Sequence, residues 1–166
     1  SLWTAAVDNR PAFGAINSRI GLTSDAQRFS PETDIAAQVR KEVADRGPSD
    51  PQLACVLVDE AQFLTSQQVW QLARLTDRDD IPVICYGLRT DFQGRLFPGS
   101  AELLGIADKL VEMKAVCHCG RKATMNQRVD DAGNPVTDGA QTEIGGNERY
   151  VAVCRRHFVR SPQAPI

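Results

Sequence analysis

The chain has 166 residues, with 19 Lys and Arg against 21 Asp and Glu, for a formal net charge of −2. That length fits one domain, or one domain with a small appendage, and the near-neutral balance offers no basic footprint for nucleic acid and no acidic tail. No apolar run approaches the ~20 residues a membrane span needs and no signal peptide is visible, so neither nucleic acid nor membrane is an expected partner.

Residues 2–7, Leu-Trp-Thr-Ala-Ala-Val, read as a short strand already under way, so residues upstream of Ser1 are expected. Residues 8–29 are polar and turn-rich, with Pro11, Gly14 and Gly21, and read as a mobile loop. Ser30-Pro31-Glu32 looks like a helix start, a capping hydroxyl followed by proline at the first helical position. Ile35, Val39 and Val43 continue one helical stripe, which Gly47-Pro48 stops. Residues 53–58, Leu-Ala-Cys-Val-Leu-Val, form a continuous apolar run suited to a parallel strand buried on both faces.

Thr65 caps a second predicted helix, with Val69, Leu72 and Ala73 facing inward. Residues 81–87 read as the next strand, with Pro82 tolerated at its start. A polar, aromatic-bearing loop spans 88–99, Ser100 caps a short helix, and 109–116 make one more strand. Strand–helix alternation at this spacing predicts an α/β fold with right-handed crossovers. The predicted division is 1–116 as the α/β domain, 117–160 as a metal-stapled lobe and 161–166 as a tail.

Five cysteines make an odd number. Cys55 and Cys85 lie in apolar runs and read as buried free thiols, whereas Cys117-His118-Cys119-Gly120 is answered far downstream by Cys154-Arg155-Arg156-His157. Soft ligands in two short clusters make a structural zinc site, with Cys117, Cys119, Cys154 and His157 closing a tetrahedron. The alternative is a redox dithiol, which has no need of His157. His118, between two ligand cysteines, is expected to point outward. Thiols used this way fit a reducing, intracellular compartment. Arg155, Arg156 and Arg160 form the one dense basic cluster, which reads as a solvated ridge.

Val56-Leu57-Val58 runs into Asp59-Glu60, so an apolar strand ends in two carboxylates. In nucleotide-binding α/β folds ligands sit at the carboxyl ends of strands. There an Asp can hold magnesium and a neighbouring Glu can accept a proton from the attacking group; the plain alternative is a strand ending in a polar turn. Phe63 and Phe92 follow successive strands and are candidates to stack a flat ligand, with core packing as the alternative. Arg10 and Arg89 are candidates for neutralising phosphate charge, or surface ion-pair residues. Ile144-Gly145-Gly146-Asn147-Glu148-Arg149-Tyr150 permits a close backbone approach to a ligand, or is a hairpin connection in a zinc ribbon. Residues 130–139 read as an exposed loop.

Val58-Asp59-Glu60-Ala61-Gln62-Phe63-Leu64, Cys85-Tyr86-Gly87-Leu88-Arg89-Thr90-Asp91-Phe92, the 144–150 stretch and Cys154-Arg155-Arg156-His157 together resemble the bacterial branch of the type II thymidine kinases. The match runs in order over nearly the whole chain, and Asp8-Asn9-Arg10 and Ser18-Arg19-Ile20-Gly21 sit where that family has a similar loop. The resemblance implies a P-loop (RecA-like) parallel sheet with helices and a small C-terminal zinc-binding lasso domain. It implies transfer of the γ-phosphoryl of ATP to thymidine in pyrimidine deoxynucleoside salvage, in a cytoplasmic homotetramer inhibited by thymidine triphosphate. Glu60 would be the general base, Asp59 would belong to the shell of the Mg2+ that accompanies ATP, and Ala61 and Gln62 would complete that nucleotide-binding stretch. Phe63 would stack on the thymine, and Leu88, Phe92 and Phe97 would wall its pocket. The lasso loop, with Gly145, would wrap the nucleoside mainly with backbone groups, and Tyr150 would close the pocket. Zn2+ on the three cysteines and His157 would anchor the lasso.

The sequence departs from this pattern in two places. The family's phosphate-cradling Gly-x-x-x-x-Gly-Lys-[Ser/Thr] loop does not occur in it, and the expectation is that this segment lies upstream of Ser1. Asn126 stands where some members carry threonine near the base. Two other classes compete. Asp59-Glu60-Ala61-Gln62 also resembles a helicase acidic box, but no Ser-Ala-Thr follows the next strand. A non-catalytic zinc-ribbon module is the other, yet it needs no buried parallel sheet ending in paired carboxylates.

Overall fold

The computed structural model describes residues 1–7, 15–17, 21–141 and 149–159. Arg10, Ser18-Arg19-Ile20, Gly145 with the rest of 142–148, and the tail from Arg160 lie outside the described residues. The chain divides into two compact units, 1–88 with 98–106 and 89–97 with 107–166.

The first unit runs β1 (Leu2–Ala5), β2 (Ala15–Asn17), β3 (Thr23–Asp25), β4 (Gln27–Phe29), α1 (Ile35–Ala44), β5 (Val56–Val58), a 3-10 turn (Ala61–Phe63), α2 (Ser66–Asp79), β6 (Val83–Cys85) and α3 (Pro98–Ile106). Four strands form a parallel sheet in the order β4-β1-β5-β6. In that register Trp3 lies between Gln27 and Val58, and Val58 faces Cys85. Parallel neighbours need crossovers; α1 joins β4 to β5 and α2 joins β5 to β6. Trp3, Phe29, Ile35, Val58, Leu72 and Leu75 anchor the core. Each such side chain contributes about 1.5–3 kcal/mol of burial.

The α/β expectation holds, with local corrections. Residues 8–29 are not one loop: β2 and β3 pair antiparallel and β4 joins the sheet. Gln27 and Arg28 disguise β4 as polar, because Phe29 alone of the three is buried. Helix α1 begins at Ile35, capped by the Asp34 carboxylate, which accepts from the Ala37 N–H at 2.9 Å. Ser30 does not cap it; its hydroxyl turns to Glu32, and its N–H donates to Thr33 Oγ1. The helix ends at Ala44, before Gly47-Pro48, and Val43 is exposed.

Thr65 caps α2 as expected, in a reciprocal capping box with Gln68. Val69 and Leu72 face inward, with Leu75 rather than Ala73 as the third buried apolar residue. Strand β5 covers only 56–58 and β6 only 83–85; Leu57 is half-buried and Ile84 is 46% exposed, so burial on both faces is incomplete. Ser100 lies inside α3 rather than capping it, because Pro98 opens the helix. A Cβ on Gly99 would lie 2.6 Å from Leu64 O and 2.9 Å from the carbonyls of Ala61 and Gln62, so glycine lets α3 meet the 3-10 turn.

The second unit contains β7 (Ala115–Val116), β8 (Lys122–Ala123), β9 (Met125–Val129), β10 (Pro135–Val136) and β11 (Tyr150–Val153). β7 and β8 pair antiparallel, and β9 is the middle of a three-stranded antiparallel sheet, β10-β9-β11. Of the strand predicted over 109–116, only 115–116 forms; Leu110, Val111 and Met113 are exposed. The exposed loop predicted over 130–139 contains β10. Its tight turn is organised by Asp130, whose Oδ1 accepts from the N–H groups of Ala132 and Asn134. Among the described residues no helix is long and apolar enough to cross a membrane.

Candidate functional site

Two clusters are candidates for chemistry, one in each unit. In the first unit β5 delivers Asp59 and Glu60 at its carboxyl end. The strands on either side fix the backbone there. The Asp59 N–H donates to Trp3 O at 2.8 Å, and the Ala61 N–H donates to Tyr86 O at 2.8 Å. Glu60 sits at φ 53° and ψ 37°. A non-glycine residue in that left-handed region costs roughly 1–3 kcal/mol and persists only where its surroundings hold it. The reward is an immediate turn from the strand into 61–63.

Ala61 and Gln62 are buried, and Phe63 packs partly against the core. Gln62 Nε2 donates to Glu60 Oε2 at 2.6 Å, and Gln62 Oε1 accepts from the Leu88 N–H at 3.0 Å. The Leu88 side chain is exposed. Cys55 and Cys85 are free and half-buried rather than fully buried, and burial pushes the Cys85 thiol up to about 11.

In the second unit the hairpin of β7 and β8 presents Cys117 and Cys119, and the turn after β11 presents Cys154 and His157. Gly120, at φ +79°, closes the first turn, its N–H donating to Cys117 O at 2.8 Å. The second turn is closed by the His157 N–H donating to Cys154 O at 2.9 Å. All four donor atoms lie within 4.8 Å of one another. The Cys119 and Cys154 sulfurs are 3.9 Å apart, and His157 Nδ1 is 3.5 Å from Cys117 Sγ and 3.6 Å from Cys154 Sγ. A tetrahedron with Zn–S bonds of ~2.3 Å requires sulfurs about 3.8 Å apart, so the donor set fits such an ion. The Cys117 thiol is pushed down to about 5, first by the Cys119 backbone N–H, which favours the ligating thiolate. His118 is exposed but does not point away from the site. Its ring stacks on that of His157, with centroids 4.4 Å apart.

Phe92 and Phe97 are buried in the second unit, Asn126 and Tyr150 are half-buried, and Arg89 is exposed. Sequence reasoning missed Arg128. It is 3% exposed, lies 3.7 Å over the Phe92 ring, and donates to Tyr150 Oη at 3.0 Å and to Ala140 O at 3.0 Å. The one available signal was a run of three polar residues, Asn126, Gln127 and Arg128, inside a five-residue strand; the last two are buried.

A parallel sheet with paired carboxylates at a strand's carboxyl end, and a Cys3His cluster that could hold a metal ion, make this an α/β protein with two candidate sites. Residues 1–158 match a family model described as thymidine kinase. The chain is 65% identical over 157 residues to the thymidine kinase of Novosphingobium aromaticivorans, covering 95% of this chain and 79% of that protein. It is 56% identical over 157 residues to the thymidine kinase of Idiomarina loihiensis, covering 95% and 79%. The thymidine kinase of Ruegeria pomeroyi is 55% identical over 157 residues, with coverage of 95% and 77%. The chain therefore belongs to the thymidine kinase family, which sets aside the helicase-like and non-catalytic ribbon readings.

Proposed function

We propose that this protein transfers the γ-phosphoryl group of ATP to the 5′-hydroxyl of thymidine, with Glu60 as the general base. The observation that carries this reading is the 65% identity to a thymidine kinase across 95% of the chain. The Asp59-Glu60 pair at the end of β5 supports the residue roles. Glu60 accepts the hydroxyl proton as the 5′-oxygen attacks the γ-phosphorus, and ADP departs with the electrons of the broken P–O bond. Asp59 offers the hard oxygen ligand that suits Mg2+, which supplies charge neutralisation at the phosphates when bound with ATP.

Phe63 is read as the thymine-stacking ring and Leu88 as its apolar neighbour. Nucleoside recognition by Phe92, Phe97, Asn126, Gly145 and Tyr150, and phosphate contacts from Arg10 and Arg89, belong to the same reading. So do the P-loop (RecA-like) type of the sheet, Zn2+ as the ion anchoring a lasso, a homotetramer, inhibition by thymidine triphosphate and a cytoplasmic location.

The test is Glu60→Gln in the full-length enzyme. The kcat for thymidine phosphorylation is expected to fall by roughly 10²–10⁴-fold, with the metal content per chain unchanged. Turnover near that of the wild type would remove Glu60 as the base.

A further inference from the structure

We propose that Gln62 is a positioning residue that ties the Glu60 carboxylate to the peptide of Leu88, so that base placement and the loop after β6 are set together. The inference rests on the reading of Glu60 as the general base. Gln62 is 2% exposed, and both ends of its amide are engaged. The Leu88 N–H can only donate, so it selects Oε1. Nε2 is thereby left facing Glu60 Oε2, 2.6 Å away. The other side of the same residue is anchored as well, since Ser100 Oγ donates to Leu88 O at 2.6 Å. A continuous bonded path therefore runs from Glu60 through Gln62 and Leu88 to helix α3.

Two further features fit this arrangement. Glu60 holds a left-handed backbone, which needs support from its neighbours. A Cβ on Gly87 would lie 2.7 Å from Gln62 Oε1 and 3.0 Å from the Gln62 backbone nitrogen, so the loop approaches the amide only because residue 87 is glycine. Glutamine is also the side chain this position requires. Glutamate at the same place would still accept from Leu88, but it would offer a second carboxylate to Glu60 in place of a donor.

The test uses two variants of the full-length enzyme, with Glu60→Gln as the reference. Gln62→Glu keeps the shape and the bond to Leu88 but loses the donor to Glu60; its kcat is expected to drop roughly tenfold or more with thymidine KM little changed. Gln62→Met keeps the volume and loses both bonds, so kcat should fall and thymidine KM should rise together. In a Glu60→Gln background Gln62→Met should cost no further kcat, because its effect acts through the base. A Gln62→Glu enzyme with wild-type kcat, or an equal Gln62→Met loss with and without Glu60, overturns the positioning role. Should Gln62→Glu not fold, the Gln62→Met pair decides alone. If Glu60→Gln itself stays active, the base reading fails and this inference fails with it. If Glu60→Gln is inactive while Gln62→Glu works normally, only this inference fails.

Discussion

The two units solve the same problem with different chemistry. The first buries fourteen apolar side chains in one cluster, spread over strands and helices, whereas the cluster around the candidate metal ligands of the second buries four, two of which are Cys117 and Cys154, with Phe92 and Phe97 buried outside it. Short strands with so few apolar residues cannot hold a fold through burial alone. Bonds to an ion held by Cys117, Cys119, Cys154 and His157 would add to what burial supplies. In the first unit the buried cluster does not include Asp59 or Glu60; in the second, two of the candidate metal ligands are themselves part of a buried cluster.

Metal removal should break this contrast most sharply. A strong chelator is expected to raise hydrogen exchange across 115–129 and 150–157 to that of an unfolded chain, while 56–58 and 66–79 keep their protection. Persistent protection of β9 would mean that the ribbon stands without its ion. Phe29→Ala tests the other side: loss of a ring that is 2% exposed should cost about 3–5 kcal/mol in urea unfolding, with metal stoichiometry intact. A Phe29→Ala protein that also loses its metal would show the units to be thermodynamically fused. Smallest is Thr65→Ala, which removes the α2 cap and should cost about 1 kcal/mol. A loss several times larger would give Thr65 a role beyond capping.

The contrast also explains which features were legible in the sequence. Metal ligands declare themselves by type and spacing, and all four candidates converge. The apolar run into Asp59-Glu60 was readable because a parallel strand leaves few polar positions. Strand β4 escaped notice because edge strands tolerate residues such as Gln27 and Arg28, and its pairing to β1 is a long-range event. The start of α1 was misplaced because Ser30-Pro31-Glu32 imitates a cap, while the better acceptor, Asp34, sits four residues on. Residues 109–114 look like a strand but form none, since a two-residue pairing with β8 is all that recruits this stretch. The partners of Gln62 and Arg128 could not be read, because a polar residue's partner is set by tertiary packing.

Gly99 has a consequence for mutational tolerance. It lies on α3, away from the carboxylates in sequence, yet three backbone carbonyls of residues 61–64 occupy the space where its Cβ would stand. Backbone cannot rotate aside as a side chain can. A saturation library of this protein should therefore be depleted at two separate stretches, residues 59–64 and position 99. Even alanine should be rare at position 99, because that residue sets how closely a helix can approach the turn at 61–64.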